Sequence, residues 1–161
     1  MDLLVNLYEL KFENQKIIDG IKYLKILPTN FELLIEFIRD NFADTNWASE
    51  VKVSLYKTNP TCFIATYNNE IVGFAAYDAT AKGFFGPTGV KETFRGKNIG
   101  ANLLMNTLEA MYFDGYGYAI IGGAGNGKAK AFYQKVCNAT VIQSDNSVYD
   151  RHIKHTERGN K

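Results

Sequence analysis

Histidine is almost missing from this sequence. Of 161 residues only His152 and His155 carry an imidazole, and both fall in the final eleven positions. Residues 1–150 therefore hold no base for a Ser-His-Asp triad or a Cys-His pair and no ligands for a histidine-rich zinc site, so no metal is expected. Acid–base chemistry in the body of the chain falls to Asp, Glu, Tyr, Lys or Cys. Cysteine is scarce as well: Cys62 and Cys137 lie far apart without a CxxC spacing, which reads as two structural thiols. No apolar run approaches the roughly 18 residues of a membrane span, and Met1-Asp2-Leu3-Leu4 has no basic n-region. A cytoplasmic protein without a membrane partner is expected. An excess of one charge is also lacking, since 18 Lys+Arg against 17 Asp+Glu leave +1, which argues against a nucleic-acid partner bound through its phosphates.

What is present is an ordinary globular composition, 46% hydrophobic and 22% charged, at a length that suits one core. Residues 1–150 read as a single domain. Positions 1–20 form an N-terminal strand or hairpin extension, and 151–161 form the end of a closing strand and a polar basic tail. The runs Leu3 to Leu10 and Ile21 to Leu27 are β-rich, with Asp19-Gly20 as a hairpin signal. Pro28 stops the second run, and Thr29 with Glu32 makes a capping box for a helix on Phe31, Leu34, Ile35, Ile38 and Phe42. A weaker helix is expected from Asn46 to Lys57. Thr61 to Tyr67, Asn68-Asn69 and Ile71 to Thr80 read as a β-hairpin, followed by a strand from Gly83 to Glu92 that Gly86, Pro87 and Gly89 interrupt. Beyond it come a helix from Asn98 to Phe113, a buried strand Tyr118 to Ile121, a helix from Asn126 to Cys137 with a stripe of Ala129, Phe132, Tyr133 and Val136, and closing strands Ala139 to Ile142 and Ser147 to Ile153. The strand-helix-strand crossover around Asn98 to Phe113 implies one parallel pair inside a largely antiparallel sheet.

Glycine is unevenly spread, with 12 of 14 between Gly73 and Gly127, so chemistry that depends on the backbone is expected there. The segment from Val90 to Ala101 joins the interrupted strand to the amphipathic helix, and its residues suit an anion. Amides at a helix start lack internal partners, the macrodipole makes that end positive, and glycine lets a ligand come close. Arg95 and Lys97 add charge.

These residues resemble the GNAT superfamily of N-acetyltransferases, whose hallmark R/Q-x-x-G-x-G/A is matched by Arg95, Asn98 and Gly100. Asn98 replaces the first glycine, a departure that asparagine's tolerance of positive φ accommodates. A second stretch, Asn126-x-x-Ala129-x-x-Phe132-Tyr133 after the buried strand, is similar to the family's N-x-x-A-x-x-(F/L)-Y. The resemblance runs from about Ile21 to Tyr149. It implies an α/β (α+β) fold with a mixed, mostly antiparallel sheet, a splayed central parallel strand pair and about four flanking helices. It further implies an acetyl-CoA-dependent N-acetyltransferase. Arg95, Gly96, Lys97, Asn98, Ile99, Gly100 and Ala101 would hold the pyrophosphate of coenzyme A. The amides of Gly89 and Val90 would serve the pantetheine and thioester carbonyl, Asn126 would contact the pantetheine arm, and Tyr133 would protonate the leaving thiolate. Transfer would be by direct attack in a ternary complex.

Two rival readings stand beside this one. Gly122 to Lys128 matches GxxxxGK, but Ala129 stands where a P-loop needs Ser or Thr for Mg²⁺. A non-catalytic acyl-CoA sensor or interaction module of the same fold is the second. No ionisable side chain lies between Gly83 and Val90, so the base stays open among Asp44, Asp78, Glu92 and a water chain. The acceptor is expected to be a small-molecule or peptide amine, with Phe42, Trp47, Tyr56 and Tyr149 as candidate contacts. The Leu3 to Leu10 strand is expected to extend the sheet or to pair with a second copy in a homodimer.

Overall fold

The computed structural model describes residues 1–124 and 127–153. Its centre is an eight-stranded mixed sheet whose middle follows directly from period-two patterning. In β4 (Cys62–Tyr67) and β5 (Glu70–Tyr77), Phe63, Ala65, Ala75 and Tyr77 enter one buried cluster. Their alternates Cys62, Ile64, Phe74 and Ala76 enter the cluster on the opposite face. The helix α4 (Ile99–Phe113) closes the first face with Ile99, Leu103, Leu104, Leu108 and Met111. The second is closed by α1 (Phe31–Asn41) and by two single turns, α2 (Trp47–Glu50) and α3 (Lys52–Leu55), where one longer helix was expected. The turn residues act as their chemistry predicts: Asp19 and Gly20 take φ of 52° and 79° between β2 (Ile17–Ile18) and β3 (Ile21–Lys25). Asn68 and Asn69 take 48° and 64° between β4 and β5, as a two-residue hairpin turn of this kind requires.

The other strands are β1 (Leu3–Asn6), β6 (Phe84–Val90), β7 (Tyr118–Ile121) and β8 (Thr140–Val141), and the order across the sheet is β2-β3-β4-β5-β6-β7-β1-β8. All pairs are antiparallel except β6 with β7, the expected parallel pair, which α4 bridges. That pair is short. Only Phe84 and Phe85 of β6 align with Ile120 and Ile121, whereas β6 continues beside β5 to Val90. From Gly86 onward the two strands part.

β1 extends the sheet, the first of its two expected roles, with Leu3 paired to both Ile121 and Val141, so the strand sits between β7 and β8. Three expectations are corrected. β1 stops at Asn6 rather than running to Leu10, because the Asn6 side chain accepts from the Tyr8 amide at 3.1 Å and caps a 3-10 turn, Leu7–Glu9. The expected closing strand Ser147 to Ile153 is a 3-10 turn, Val148–Arg151, with a capping box. Ser147 Oγ accepts from Tyr149 N at 3.1 Å, and Asp150 accepts from Ser147 N at 2.9 Å. The Thr29–Glu32 capping box is not formed. Pro28–Asn30 make a 3-10 turn before α1, and Asn30 makes no side-chain cap hydrogen bond.

Among the described residues, no helix is long and apolar enough to cross a membrane.

Candidate active site

The strand-to-helix connection ends in the conformation an anion cradle needs. Asn98, the N-cap of α4, takes φ 64° and ψ 14°, the left-handed geometry that the replaced glycine would supply. Asn102 is the first helical residue to donate back, to the Asn98 carbonyl at 3.1 Å, so the amides of Ile99, Gly100 and Ala101 have no partner inside the helix. Gly96 has φ 80° and open space around it. Arg95 is exposed, with Nε donating to the Val90 carbonyl at 3.2 Å, and Lys97 places Nζ 4.8 Å from the Phe94 ring centre. The residues Arg95 to Ala101 are thus brought together as one positive, amide-lined turn.

The splay exposes one edge of β6. Lys91 donates to Val72 at 2.8 Å, and antiparallel alternation then turns the N–H groups of Val90 and Thr88 away from β5. Gly89, opposite Phe74, turns its amide toward β5, so of the two candidate donors only Val90 presents an N–H to the gap. Gly89 serves a different need. A Cβ there would come within 2.6 Å of the Phe42 ring.

Beside this edge lies a cleft of about 1190 Å³, lined by Phe85 to Thr88 on one side and by Ala129 and Tyr133 of α5 (Lys128–Cys137) on another. Of the expected α5 stripe, Tyr133 and Val136 pack on the core while Ala129 and Phe132 stay exposed, because the gap opened by the splay lies beside them. Phe132 reaches back to the cradle: a Cβ on Gly100 would lie 3.9 Å from its ring. Tyr133 packs at 5.1 Å from the Phe132 ring and 6.2 Å from Phe85. Burial, with smaller contributions from Cys137 and Tyr149, pushes its phenol up to about 12. Burial lifts the Cys137 thiol to about 12 as well, and that thiol donates to the Tyr133 carbonyl at 3.1 Å.

A third wall of the cleft comes from distant segments. Glu50, the last residue of α2, accepts from the Thr80 hydroxyl, and Tyr149 lines the same cleft as this pair and Tyr133. The Tyr149 ring covers Gly122 and Gly123, where a Cβ would approach it to 2.9 and 3.2 Å. Burial and the Glu50 charge raise the Tyr149 phenol, while a Thr80 hydrogen bond opposes them. Next to it, Arg151 and His152 line the mouth, with His152 Nε2 3.4 Å from the Asn46 amide nitrogen. The β7–α5 loop is pinned by the N-terminus: Gly123 N donates to Asp2 Oδ1 at 3.0 Å and Ala124 N to the Met1 carbonyl at 3.1 Å.

Several sequence candidates fall elsewhere. Asp78 is taken by Gly83 N and the Tyr116 hydroxyl, both at 2.7 Å, while Asp44 and Glu92 are exposed and do not line this cleft. Trp47 and Tyr149 line it, Phe42 packs behind Gly89, and Tyr56 packs on Phe31 outside it. Asn126 lies outside the described residues. Glu50, Arg151 and His152 line the cleft although sequence reasoning did not single them out; the signal that could have found Glu50 is the turn of helix it shares with Trp47. The exclusion of imidazole holds for residues 1–150, yet the fold returns His152 to the cleft.

The family model of the acetyltransferase (GNAT) family matches residues 25–139. A search of the curated proteins gives no match. Among solved structures, a GCN5-related N-acetyltransferase from Sphaerobacter thermophilus superposes with a TM-score of 0.67 at 18% identity, over 88% of this chain and 47% of that one. A GCN5-related glucosamine N-acetyltransferase region of a fungal multi-domain β-N-acetylglucosaminidase gives 0.64 at 15% identity, over 84% of this chain and 19% of that one. An aminoglycoside acetyltransferase from an uncultured soil metagenomic sample, in complex with trehalose, gives 0.55 at 16% identity, over 86% and 97%. The chain thus spans less than half of the first two, and at these identities the likeness is one of fold.

Proposed function

Since the chain belongs to the GNAT family of acetyltransferases, we propose that it moves an acetyl group from acetyl-CoA to the primary amine of an acceptor, by direct attack in a ternary complex. The observation that carries this reading is the free edge of β6, flanked by the amide-lined start of α4 and sharing a cleft with Tyr133. Acetyl-CoA supplies the activated thioester. Arg95, Gly96, Lys97, Asn98 and the amides of Ile99, Gly100 and Ala101 hold its pyrophosphate, Asn126 contacts the pantetheine arm, and Gly89 keeps the strand clear of Phe42. Val90 donates its N–H to the thioester carbonyl, where a preorganised donor of this kind is worth about 3 kcal/mol as negative charge develops.

The protons balance through two side chains. The acceptor arrives as an ammonium, and Glu50 takes one proton to solvent so that the nitrogen lone pair can attack. The N–C bond forms, the C–S bond breaks, and Tyr133 gives its proton to the departing sulfur. The second proton on nitrogen restores the phenol. A phenol near 12 handing a proton to an ordinary thiolate near 8.5 is uphill. Burial of the sulfur in the filled cleft favours its protonated form and brings the transfer closer to even. The two buried, unpaired thiols are in keeping with a reducing cytoplasm.

Calorimetric titration with acetyl-CoA and a turnover assay against a panel of amines test the reading. Saturable binding with turnover is expected. Absence of binding overturns it, and binding without any turnover hands the fold to the acyl-CoA sensor.

A further inference from the structure

The third wall of the cleft, which with the mouth forms its acceptor limb in the acyl-transfer reading, carries charge of both signs. Among the described residues that line it, Glu50 is the one carboxylate, Arg151 the one guanidinium and His152 the one imidazole. The single ion pair among the described residues is Lys16–Glu109, so Glu50 and Arg151 do not neutralise each other. They also differ in depth. Glu50 is half-buried and accepts from the Thr80 hydroxyl, and its charge acts on the Tyr149 phenol, which in turn acts on Tyr133. Arg151 and His152 are exposed at the mouth. The separation is set by α2: His152 contacts Asn46, and Glu50 donates its amide to the Asn46 carbonyl at 3.0 Å. Residues four apart on a helix stand about 5–6 Å apart at Cβ, so carboxylate and imidazole flank one helical turn. A small molecule with opposite charges at its two ends spans such a gap when each end adds a hydrogen bond.

We propose that the acceptor is an amino acid, its ammonium received by Glu50 next to the thioester and its carboxylate held at the mouth by Arg151 and His152. This rests on the acyl-transfer reading. The planar guanidinium fork matches a carboxylate's two oxygens, and one fixed positive charge matches a monoanion better than a phosphate dianion. The depth order gives the direction, with the amine entering first and the anion staying outside.

The test uses matched acceptors that share a side chain: free amino acid, its carboxamide, its decarboxylated amine and an aminoalkyl phosphate. Each is assayed with acetyl-CoA on the full chain. The free acid is expected to exceed the other three in kcat/KM by at least tenfold, and Arg151→Gln to shrink that ratio below threefold, with Arg151→Lys in between. Arg151 is exposed, and an unchanged thermal melt confirms that the variants fold. Equal use of acid and carboxamide by the wild type overturns the amino-acid assignment and leaves acetyl transfer standing, as does preference for the phosphate. A preference for the acid that survives Arg151→Gln with His152→Gln removes these two residues from the role. No turnover of any amine by a protein that binds acetyl-CoA overturns both this inference and the catalytic reading.

Discussion

The two limbs of the cleft are built by different rules. The proposed donor limb runs from the β6 wall of the cleft, Phe85 to Thr88, into the adjoining stretch Val90 to Ala101, and its polar groups are mainly amides: a β6 edge left unpaired by the splay and three N–H groups at the start of α4. The acceptor limb is made of side chains from three separated segments, Glu50 on α2, Thr80 after β5, and Tyr149 to His152 in the last turn. A site made of backbone spreads its binding over many groups, none of which a side-chain change removes. A site made of side chains concentrates it. Substitutions should therefore act gently on the donor limb through charge and sharply only through conformation, while on the acceptor limb single atoms should matter.

The sharpest break is expected where the limbs meet. Tyr133→Phe removes one hydroxyl and leaves the ring against Phe85 and Phe132. Loss of a positioned general acid costs about 10² to 10⁴-fold in turnover, and acetyl-CoA affinity should stay within about twofold. Full turnover in this variant would end the assigned role. Glu50→Gln comes next, with an expected loss of about 10²-fold in kcat/KM near neutral pH. An amine that loses its proton unaided regains reactivity, so the deficit should shrink as pH rises toward the amine's own pKa; a deficit that is flat with pH shows that Glu50 only positions the acceptor.

The same contrast explains what could be read before the fold was known. Strand-to-helix boundaries are local, so β4, β5, β7, α4 and α5 were legible to within a few residues. The positive φ of Asn98 followed from asparagine's own preferences. The acceptor limb was not legible, because nothing local brings Glu50, Thr80 and His152 together. β1 was legible as a strand that extends the sheet but not in its partners. Hydrophobic patterning marked a strand but could not say which neighbours it would join, and it joined β7 and β8. With the slot beside β7 filled from the N-terminus, the segment after β8 leaves the sheet and places Tyr149, Arg151 and His152 in the cleft instead.

Within the donor limb, conformation is the weak point. Asn98→Val puts a β-branched side chain at φ 64°. Strain of this kind is on the order of 1–2 kcal/mol, so acetyl-CoA should bind about 5 to 30-fold more weakly, measured by titration, while the amino-acid preference is retained. Loss of that preference instead would mean that the limbs are not separable.

A smaller effect is expected in stability at alkaline pH. Tyr133 titrates near 12 when folded and from a reference of 10.0 when exposed, so between these values the unfolded chain releases a proton that the folded chain keeps. The contribution is fully present below pH 10 and is lost as pH rises through the window, with a slope of up to about 1.4 kcal/mol per pH unit. Tyr133→Phe should flatten the alkaline limb of a denaturation series by up to one proton relative to wild type. An identical slope in the two proteins would show that the phenol is solvated in the folded chain.

The smallest expected effect carries the most specific information about the donor limb. Asn98→Gly restores the residue that the hallmark calls for, and two opposing terms act on it. Glycine enters the left-handed region without the Cβ penalty, which favours the folded turn. It also gains freedom in the unfolded chain, and for asparagine, which already tolerates this region, the two should nearly cancel. Acetyl-CoA affinity should therefore change by less than about threefold, if what the phosphates require is the positive φ and the amide direction it produces. A tenfold gain would show instead that the asparagine side chain obstructs the ligand. That outcome would also place the weak point of the donor limb in a side chain, reducing the contrast between the two limbs.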